Sequence, residues 1–293
     1  MSNQKEIRAR ISSTISTQQI TKAMKLVSAT KLRRASDAIV RMRPYALKLK
    51  GIMSNLQESV EDDRLSFYFD QRECQNVCLV VISSDRGLCG AFNANVAKRT
   101  RQLLENDYKE LAKQGKVEII CVGKKAGEML KRSGYSVNTQ YQNLLVDLDS
   151  NKAFAFTELL IERFKSGSID KLEIIFNQFK NAATQILTNE ALLPIVPQQG
   201  TSNHTQTEYL FEPSKVTILE DLIPRSLKTQ LYRALLDSLA SEHGARMVAM
   251  DKATDNAGEL LKALRLAYNQ ARQAAITREI SEIVGGVAAL EGK

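Results

Sequence analysis

"VCLVVISSDRGLCGAF", residues 77–92, joins an apolar run to two closely spaced glycines and then to a helix-like segment. An unbroken apolar run that ends in a polar glycine turn reads as a buried strand leaving a sheet. The same order, strand then glycine turn then helix, frames the phosphate loops of nucleotide enzymes, so the spacing decides between two different kinds of protein. A phosphate loop places four residues between its first glycine and a Gly-Lys-Ser/Thr, so that successive amides and a lysine surround the phosphates. Here Gly87 and Gly90 stand three apart, and the next lysine is Lys98. The Gly-x-Gly-x-x-Gly order of dinucleotide binding is missing as well. The stretch therefore predicts an α/β sheet in which Gly87 and Gly90 serve tight turning and close helix–sheet contact, and it predicts no nucleotide cradle.

Further along, "VEIICVG" (117–123) and "KLEIIFNQF" (171–179) repeat the apolar strand texture. They alternate with helix candidates over 91–106, 124–132 and 153–165, which argues for a mostly parallel sheet covered by helices, a Rossmann-like α/β domain. "PQQGTSNHTQTEY" (197–209) has the composition of a polar surface loop.

The flanks differ in texture. Before Gly51 there is no glycine, and Pro44 is the one proline of the first 58 residues. Apolar residues recur at helical spacing: Ile7, Ile11, Ile15; then Ile20, Met24, Val27; then Leu32, Ala35, Ile39, Met42. At the other end, Pro224 is placed as the first turn of a helix, and no proline follows it to Val284. From Lys228 to Val284 such a helix spans roughly 85 Å. Its seam reads Leu236, Leu239, His243, Arg246, Met250, Ala253, Ala257, Leu260, Leu264, Ala267, Ala271 and Ala274. That alternation of three and four predicts a left-handed coiled coil, with Gly258 letting a partner helix approach. Ile276, Ile280, Ile283 and Val287 form a stripe off this seam, so the last turns face something else. The economical arrangement is an antiparallel coiled coil of the long N- and C-terminal helices plus the central α/β domain. Its segments are a shaft helix (1–58), a linker (59–76), the α/β domain (77–213) and a second shaft helix (214–293).

The 293 residues, 43% hydrophobic and 25% charged, suit a soluble globular protein. No run reaches the ~18 to 20 apolar residues that span a bilayer, and "MSNQKEIRAR" lacks the apolar core of a signal peptide. Cys74, Cys78, Cys89 and Cys121 form no C-x-x-C pair and lie in or beside apolar runs, so they read as free thiols of a reducing compartment. His204 and His243 lack metal-ligand spacing. Residues 1–58 hold twelve lysines and arginines against three acids, +9, beside a net charge of +8 for the whole chain, so the rest is close to neutral. Such asymmetry points to an acidic partner: nucleic acid, anionic lipid, or a protein rich in Asp and Glu.

Four stretches together carry a resemblance. They are "IRARISSTISTQQITKAMKLVSATKLRRA" (7–35), "SSDRGLCGAFNANV" (83–96), "ARMVAMDKATDNAGELL" (245–261) and "NQARQAAITREISEIVGG" (269–286). In order and spacing the chain resembles the gamma-subunit family, the central rotor stalk of F-type ATP synthase. The resemblance implies a non-catalytic subunit without a cofactor, turning inside a ring of alpha and beta subunits. The terminal helices would be its shaft and the α/β domain its foot, gripping the epsilon subunit and the membrane ring of c subunits. It implies that Lys22, Lys25, Arg33 and Arg34 face an acidic lever of beta, and that Arg272, Gln273 and Thr277 meet a catch loop of beta. Ile276, Ile280, Ile283 and Val284 would sit in an apolar sleeve, where non-directional contact avoids pinning a rotor. Arg43, Pro44, Tyr209, Phe211 and Glu212 would lie at the membrane-ring and epsilon end. Arg246 and His243 would contact beta or fix helix register. Membrane association would come through the complex, at the cytoplasmic face of a bacterial inner membrane, since no presequence is visible. The cysteine-bearing insertion of chloroplast relatives is missing, so redox gating is not expected.

Three rivals fit less well. A basic coiled-coil adaptor for nucleic acid needs stacking aromatics, and residues 1–58 offer Tyr45 alone. A nucleotide-dependent enzyme needs the phosphate loop or a clustered acid–base pair. A tethering coiled coil leaves the motif at 269–286 without a purpose.

Overall fold

The computed structural model describes residues 4–57, 65, 67–70, 72–146, 148–195 and 214–291. Tyr209, Phe211, Glu212 and the polar loop at 197–209 lie outside the described residues. The chain divides into two compact units, one of Met1–Ser28 with Met247–Lys293 and one of Ala29–Arg246. Two helices run through both: α1, Gln4–Gln57, and α6, Lys215–Glu291.

The second unit holds the sheet. Its strands are β1 (Val77–Ile82), β2 (Val117–Val122), β3 (Lys171–Phe179) and β4 (Gln185–Leu193), in the order β2-β1-β3-β4. Strand β1 pairs in parallel with β2, from Val77↔Val117 to Ile82↔Val122, and with β3, from Val77↔Lys171 to Val81↔Ile175. β4 returns antiparallel on β3. Because β1 has neighbours on both edges and helices on both faces, all six of its side chains are buried. That is the physical reason for the unbroken run "VCLVVI".

Alternate β1 side chains feed two cores. Val77, Leu79 and Val81 pack with Val96 and Ala97 of α2 (Phe92–Gln102) and with Ala126 and Leu130 of α4 (Lys124–Arg132). Cys78, Val80 and Ile82 pack with Phe156, Leu160 and Phe164 of α5 (Ser150–Lys165) and with Leu227, Leu231 and Leu235 of α6. Each fully buried side chain of this kind contributes about 1.5–3 kcal/mol. Between α2 and β2 lie a π-helical turn, Leu103–Asp107, and the short α3, Lys109–Lys113. Leu65 and Tyr68 join the core beneath α5. The thiols of Cys78 and Cys121 are pushed up to about 12 by burial, with Glu118 adding to the effect at Cys78, and all four cysteines are free.

Three expectations are corrected. The strand β4 has no counterpart in the sequence reading. Asn181 Oδ1 accepts the N–H groups of Ala183 and Thr184 at 3.0 and 2.7 Å and so turns the chain back on itself, while "QILTNEALL" on an edge carries no clean alternation. Pro224 does not begin the last helix. α6 starts nine residues earlier in the chain, at Lys215, where Ser214 Oγ accepts the Thr217 N–H at 3.2 Å. Pro224 then sits inside α6, where burial of Leu219, Ile223 and Leu227 offsets its missing donor. Gly87 and Gly90 have open space where a Cβ would go, and only Gly90 (φ +60°) needs its turn conformation. The close approaches belong to Gly123, whose Cβ would meet Ser83 O at 2.1 Å, and Gly244, whose Cβ would meet Ala182 O at 3.1 Å.

In the first unit α1 and α6 run antiparallel. Gln18 Nε2 donates to Thr254 O, Thr21 Oγ1 lies 2.8 Å from Thr254 Oγ1, and Lys25 pairs with Asp251. Gln18 Nε2 also lies 3.2 Å from where a Cβ on Gly258 would be. Met250, Ala257 and Leu261 are buried between the helices. Leu260, expected on the seam, is 51% exposed, against 7% for Leu261. With leucine at both positions, the sequence leaves open whether the step after Ala257 is three or four, and the observed step is four. In the second unit Ala35 and Ile39 of α1 pack on Leu236 and Ala240 of α6.

Candidate functional site

The turn after β1 is built from bonds that use up its own polar groups. Ser83 Oγ accepts the Ala126 N–H at 3.2 Å, and Ser84 O accepts the Lys125 N–H at 3.0 Å. The Asp85 carboxylate accepts the Lys124 N–H. "SSD" thus caps α4 from outside, occupying the amides that a phosphate would need. Burial holds the Asp85 carboxyl above its usual range although Lys124 and Arg86 oppose it. Asn93 of α2 closes the turn: its Oδ1 accepts the Ser84 N–H at 3.0 Å, and its Nδ2 donates to Ser84 Oγ at 2.8 Å. Leu88 at the crest has φ +63° and is 63% exposed, a left-handed conformation that is rare for a branched side chain.

The carbonyls of the turn face a cation. Arg246 Nη2 donates to Arg86 O at 3.0 Å and to Gly87 O at 3.3 Å, and its Nε reaches Gly87 O at 3.4 Å. Its Nη1 donates to Glu242 Oε1 at 2.7 Å, with both side chains about nine-tenths buried. Burial holds the Glu242 carboxyl above its usual range, with Arg246 opposing. His243 Nδ1 lies 3.4 Å from Arg246 Nη1. Burial, with Arg246 and Lys31 adding to it, pushes His243 down to about 4, so the ring is neutral at pH 7. Removing one partner from a buried pair of this kind costs about 3–5 kcal/mol.

Earlier on α6, Arg233 donates to both Glu190 oxygens at 2.8 and 2.6 Å, which ties the helix to β4. Asp237, one turn on, is 5% exposed, and burial pushes it up to about 6 against the pull of Arg233 and Arg43. On the sheet, buried Glu173 accepts from Tyr108 at 2.7 Å and Asn189 at 3.0 Å and pairs with Lys171 at 2.9 Å. Among the described residues no group of His, Cys, Asp and Glu is arranged to hold a metal.

At its other end α6 is exposed: Ile276 (49%), Ile280 (56%), Ile283 (66%) and Val284 (61%) share a stripe of uncovered apolar surface. Arg272 and Gln273 are exposed, and Thr277 Oγ1 bonds back to Gln273 O at 2.9 Å. On α1, Lys22, Arg33, Arg34, Arg43 and Pro44 are exposed. Arg34 and Arg41 flank a shallow depression of about 440 Å³ over Asp37, Ala38 and Met42.

The ATP synthase family matches residues 3–290. The ATP synthase gamma chain of Cytophaga hutchinsonii is 52% identical over 293 residues, covering 99% of each chain. This chain belongs to the ATP synthase gamma chain family. The gamma chain of Christiangramia forsetii is 51% identical over 292 residues, with all of both chains covered, and that of Chlorobium phaeobacteroides is 44% identical over 295 residues, likewise complete. Among solved structures, a chain of the Euglena gracilis mitochondrial ATP synthase, in its OSCP/F1/c-ring part and rotational state 3, superposes with TM-score 0.68. It is 25% identical and covers 98% of this chain and 94% of its own. A chain of the rotor of the same enzyme in rotational state 1 gives 0.63 at 23% identity, covering 93% and 98%, and shares the fold.

Against that family, the adaptor for nucleic acid finds no support. Of the basic residues named from sequence, Lys25 and Arg246 have partners inside this gamma chain, while Lys22, Arg33 and Arg34 are exposed. The sequence reading put Arg246 and His243 on the seam but missed Glu242. Its signal was there: a glutamate four residues before an arginine on one helix face. Among the groups that act on the buried Asp237, Arg43, Glu190 and the Phe179 N–H are distant in sequence, so only Arg233, one turn before it, left a local mark.

Proposed function

We propose that this gamma chain is the central rotating stalk of a proton-translocating ATP synthase, and that it does no chemistry itself. The alpha and beta subunits around it would hold the catalytic sites, and the c-subunit ring and epsilon would turn its α/β unit. A contact biases a partner's conformation only through differential free energy between that partner's states. An asymmetric shaft that changes its contacts as it rotates therefore drives each catalytic site through tight and open states in turn.

The observation that carries this reading is the exposed stripe at Ile276, Ile280, Ile283 and Val284. Covering the exposed half or more of each such side chain contributes about 1–2 kcal/mol, a demand for a partner surface. The same helix is bonded into the sheet at Arg233 and Arg246, so whatever turns the sheet unit turns the helix. Arg272, Gln273 and Thr277, beside the stripe, are the proposed polar contacts to beta. Lys22, Arg33 and Arg34 are proposed to face its acidic lever, while Lys25 and Arg246 act through their bonds inside the chain. Arg43 and Pro44, with Tyr209, Phe211 and Glu212, are the proposed grip on epsilon and the membrane ring. Among the described residues no helix is long and apolar enough to cross a membrane. The chain would therefore reach the cytoplasmic face of a bacterial inner membrane through the complex.

An affinity tag placed near Thr201 tests the reading. Purification from gently solubilised membranes should recover two large subunits in equal amounts, one copy of this chain, and ATP hydrolysis. Recovery of this chain alone, or with nucleic acid and no ATPase, would overturn it.

A further inference from the structure

Torque that enters through the α/β unit has to cross into α6, and the two kinds of contact between them differ in what they resist. Leu219, Ile223, Leu227, Leu231 and Leu235 pack α6 onto the sheet through apolar surface, which is non-directional. Directional bonds include Lys228 on Glu158 of α5, Arg233 on Glu190 of β4, Asp237 on the Phe179 N–H at the end of β3, and Arg246 on the turn after β1. The last of these lies nine residues beyond Asp237, on a different strand connection, and Arg246 is the last residue of its compact unit.

We propose that the Glu242–Arg246 pair is the torsional clamp between the C-terminal helix and the sheet, a positioning device rather than a contact to a partner subunit. This rests on the rotor reading above. Glu242 aligns the guanidinium from the same helix face, one turn away, and leaves its other edge to the carbonyls of Arg86 and Gly87. The turn is itself fixed to two further elements, α4 through Ser83, Ser84 and Asp85 and α2 through Asn93. A twist applied to the sheet therefore reaches α6 at Arg246 without first straining the stretch from Asp237 to Arg246. At Gly244 the helix comes close enough to Ala182 that a Cβ would lie 3.1 Å from its carbonyl, which seats the clamped turn of α6 against the β3–β4 connection. With the clamp gone, the nearest of these directional anchors is Asp237, the free length of helix grows by about two and a half turns, and the link softens.

The test is Arg246→Gln in the assembled enzyme, with the head immobilised and a bead attached at exposed Lys109 of the α/β unit. Loss of the bonds to Arg86 and Gly87 should speed amide exchange over residues 86–90 by on the order of 10- to 100-fold, while exchange in β1 and β3 stays unchanged. The bead's angular distribution at rest should widen, and hydrolysis per head should persist. An unchanged distribution, with exchange in the turn accelerated, would mean that the pair serves folding alone, and the proposal falls. If Arg246→Gln does not assemble, Arg246→Lys is read in the same way: it keeps the charge opposite Glu242 but cannot fork to two carbonyls, so it too should widen the distribution, and an unchanged width overturns the clamp. If the bead on the unaltered complex shows no ATP-driven rotation, the rotor reading fails by itself, separately from the clamp.

Discussion

Asp237→Asn isolates a single proton. The buried Asp237 carboxyl is pushed up to about 6 from 3.8, and an asparagine imitates its protonated form while still accepting the Phe179 N–H. A raised pKa means that the folded state holds the proton more tightly than the unfolded chain does. The stability belonging to the protonated group is complete below about pH 4 and is lost as pH rises through about 6. The shift of about two units corresponds to roughly 3 kcal/mol. The variant should therefore be more stable than the parent by about that amount at pH 8, and the two should converge near pH 4. Other buried acids are shifted as well, Glu242 and Asp85 upward and Glu173 downward. They act in both proteins, so the difference between parent and variant removes them.

His243 runs the other way. Its pKa falls from 6.5 to about 4, so its contribution is present above 6.5 and lost as the pH drops through 4. The two groups oppose each other between pH 4 and 6, and Asp237→Asn should expose the acid sensitivity that Asp237 offsets. Hydrogen exchange of the β1 amides, corrected for intrinsic rates, measures this from pH 4 to 8. A stability difference that stays constant with pH would refute the reasoning, because it would show that the gain comes from packing and not from the proton.

Three further perturbations separate tight sites from tolerant ones. Gly123→Ala puts a Cβ 2.1 Å from Ser83 O at φ +92°, whereas Gly115→Ala meets open space at φ +71°. The first should cost about 4 kcal/mol or more and the second only about 1–2, as read from unfolding midpoints. Lys25→Ala removes a pair whose side chains are 40% and 48% exposed, so the loss should stay below about 1 kcal/mol and disappear in 1 M salt. Ile280→Ser, at a 56% exposed position, should leave the unfolding of the chain itself within about 0.5 kcal/mol of the parent but weaken its retention in the purified complex.

Where local pattern and tertiary environment agree, the sequence was readable. "VCLVVI" reads as a central strand because neighbours on both edges and both faces demand apolar side chains at every position. The seam of α6 was legible to Ala257 and ambiguous beyond it, because adjacent leucines at 260 and 261 satisfy either step. β4 was missed because an edge strand in an antiparallel hairpin needs no continuous apolar run. Gly87 and Gly90 drew attention away from Gly123, a single glycine after β2 whose constraint is the carbonyl of Ser83, forty residues earlier. The role of "SSD" as a cap for α4 was hidden for the same reason. A cap supplied from another element leaves no mark on the helix it serves.

The long C-terminal helix inverts the usual distribution of polarity at two places along its length. Between Asp237 and Arg246 it buries Asp237, Ser238, Ser241, Glu242, His243 and Arg246, and from Ile276 to Val284 it exposes three isoleucines and a valine. Each inversion costs free energy in an isolated chain, the first through desolvation and the second through hydrated apolar surface. The bonds of Glu242 and Arg246 offset their desolvation within the chain, while Ser241 Oγ stays without a partner among the described residues, and the directional bonds from Arg246 fix one angle between helix and sheet. The apolar stretch has no compensation within the described residues, and apolar contact fixes no angle. The roles proposed above would use those two properties in that order along one helix: a joint that transmits rotation where it is driven, and a contact indifferent to rotation at the proposed bearing.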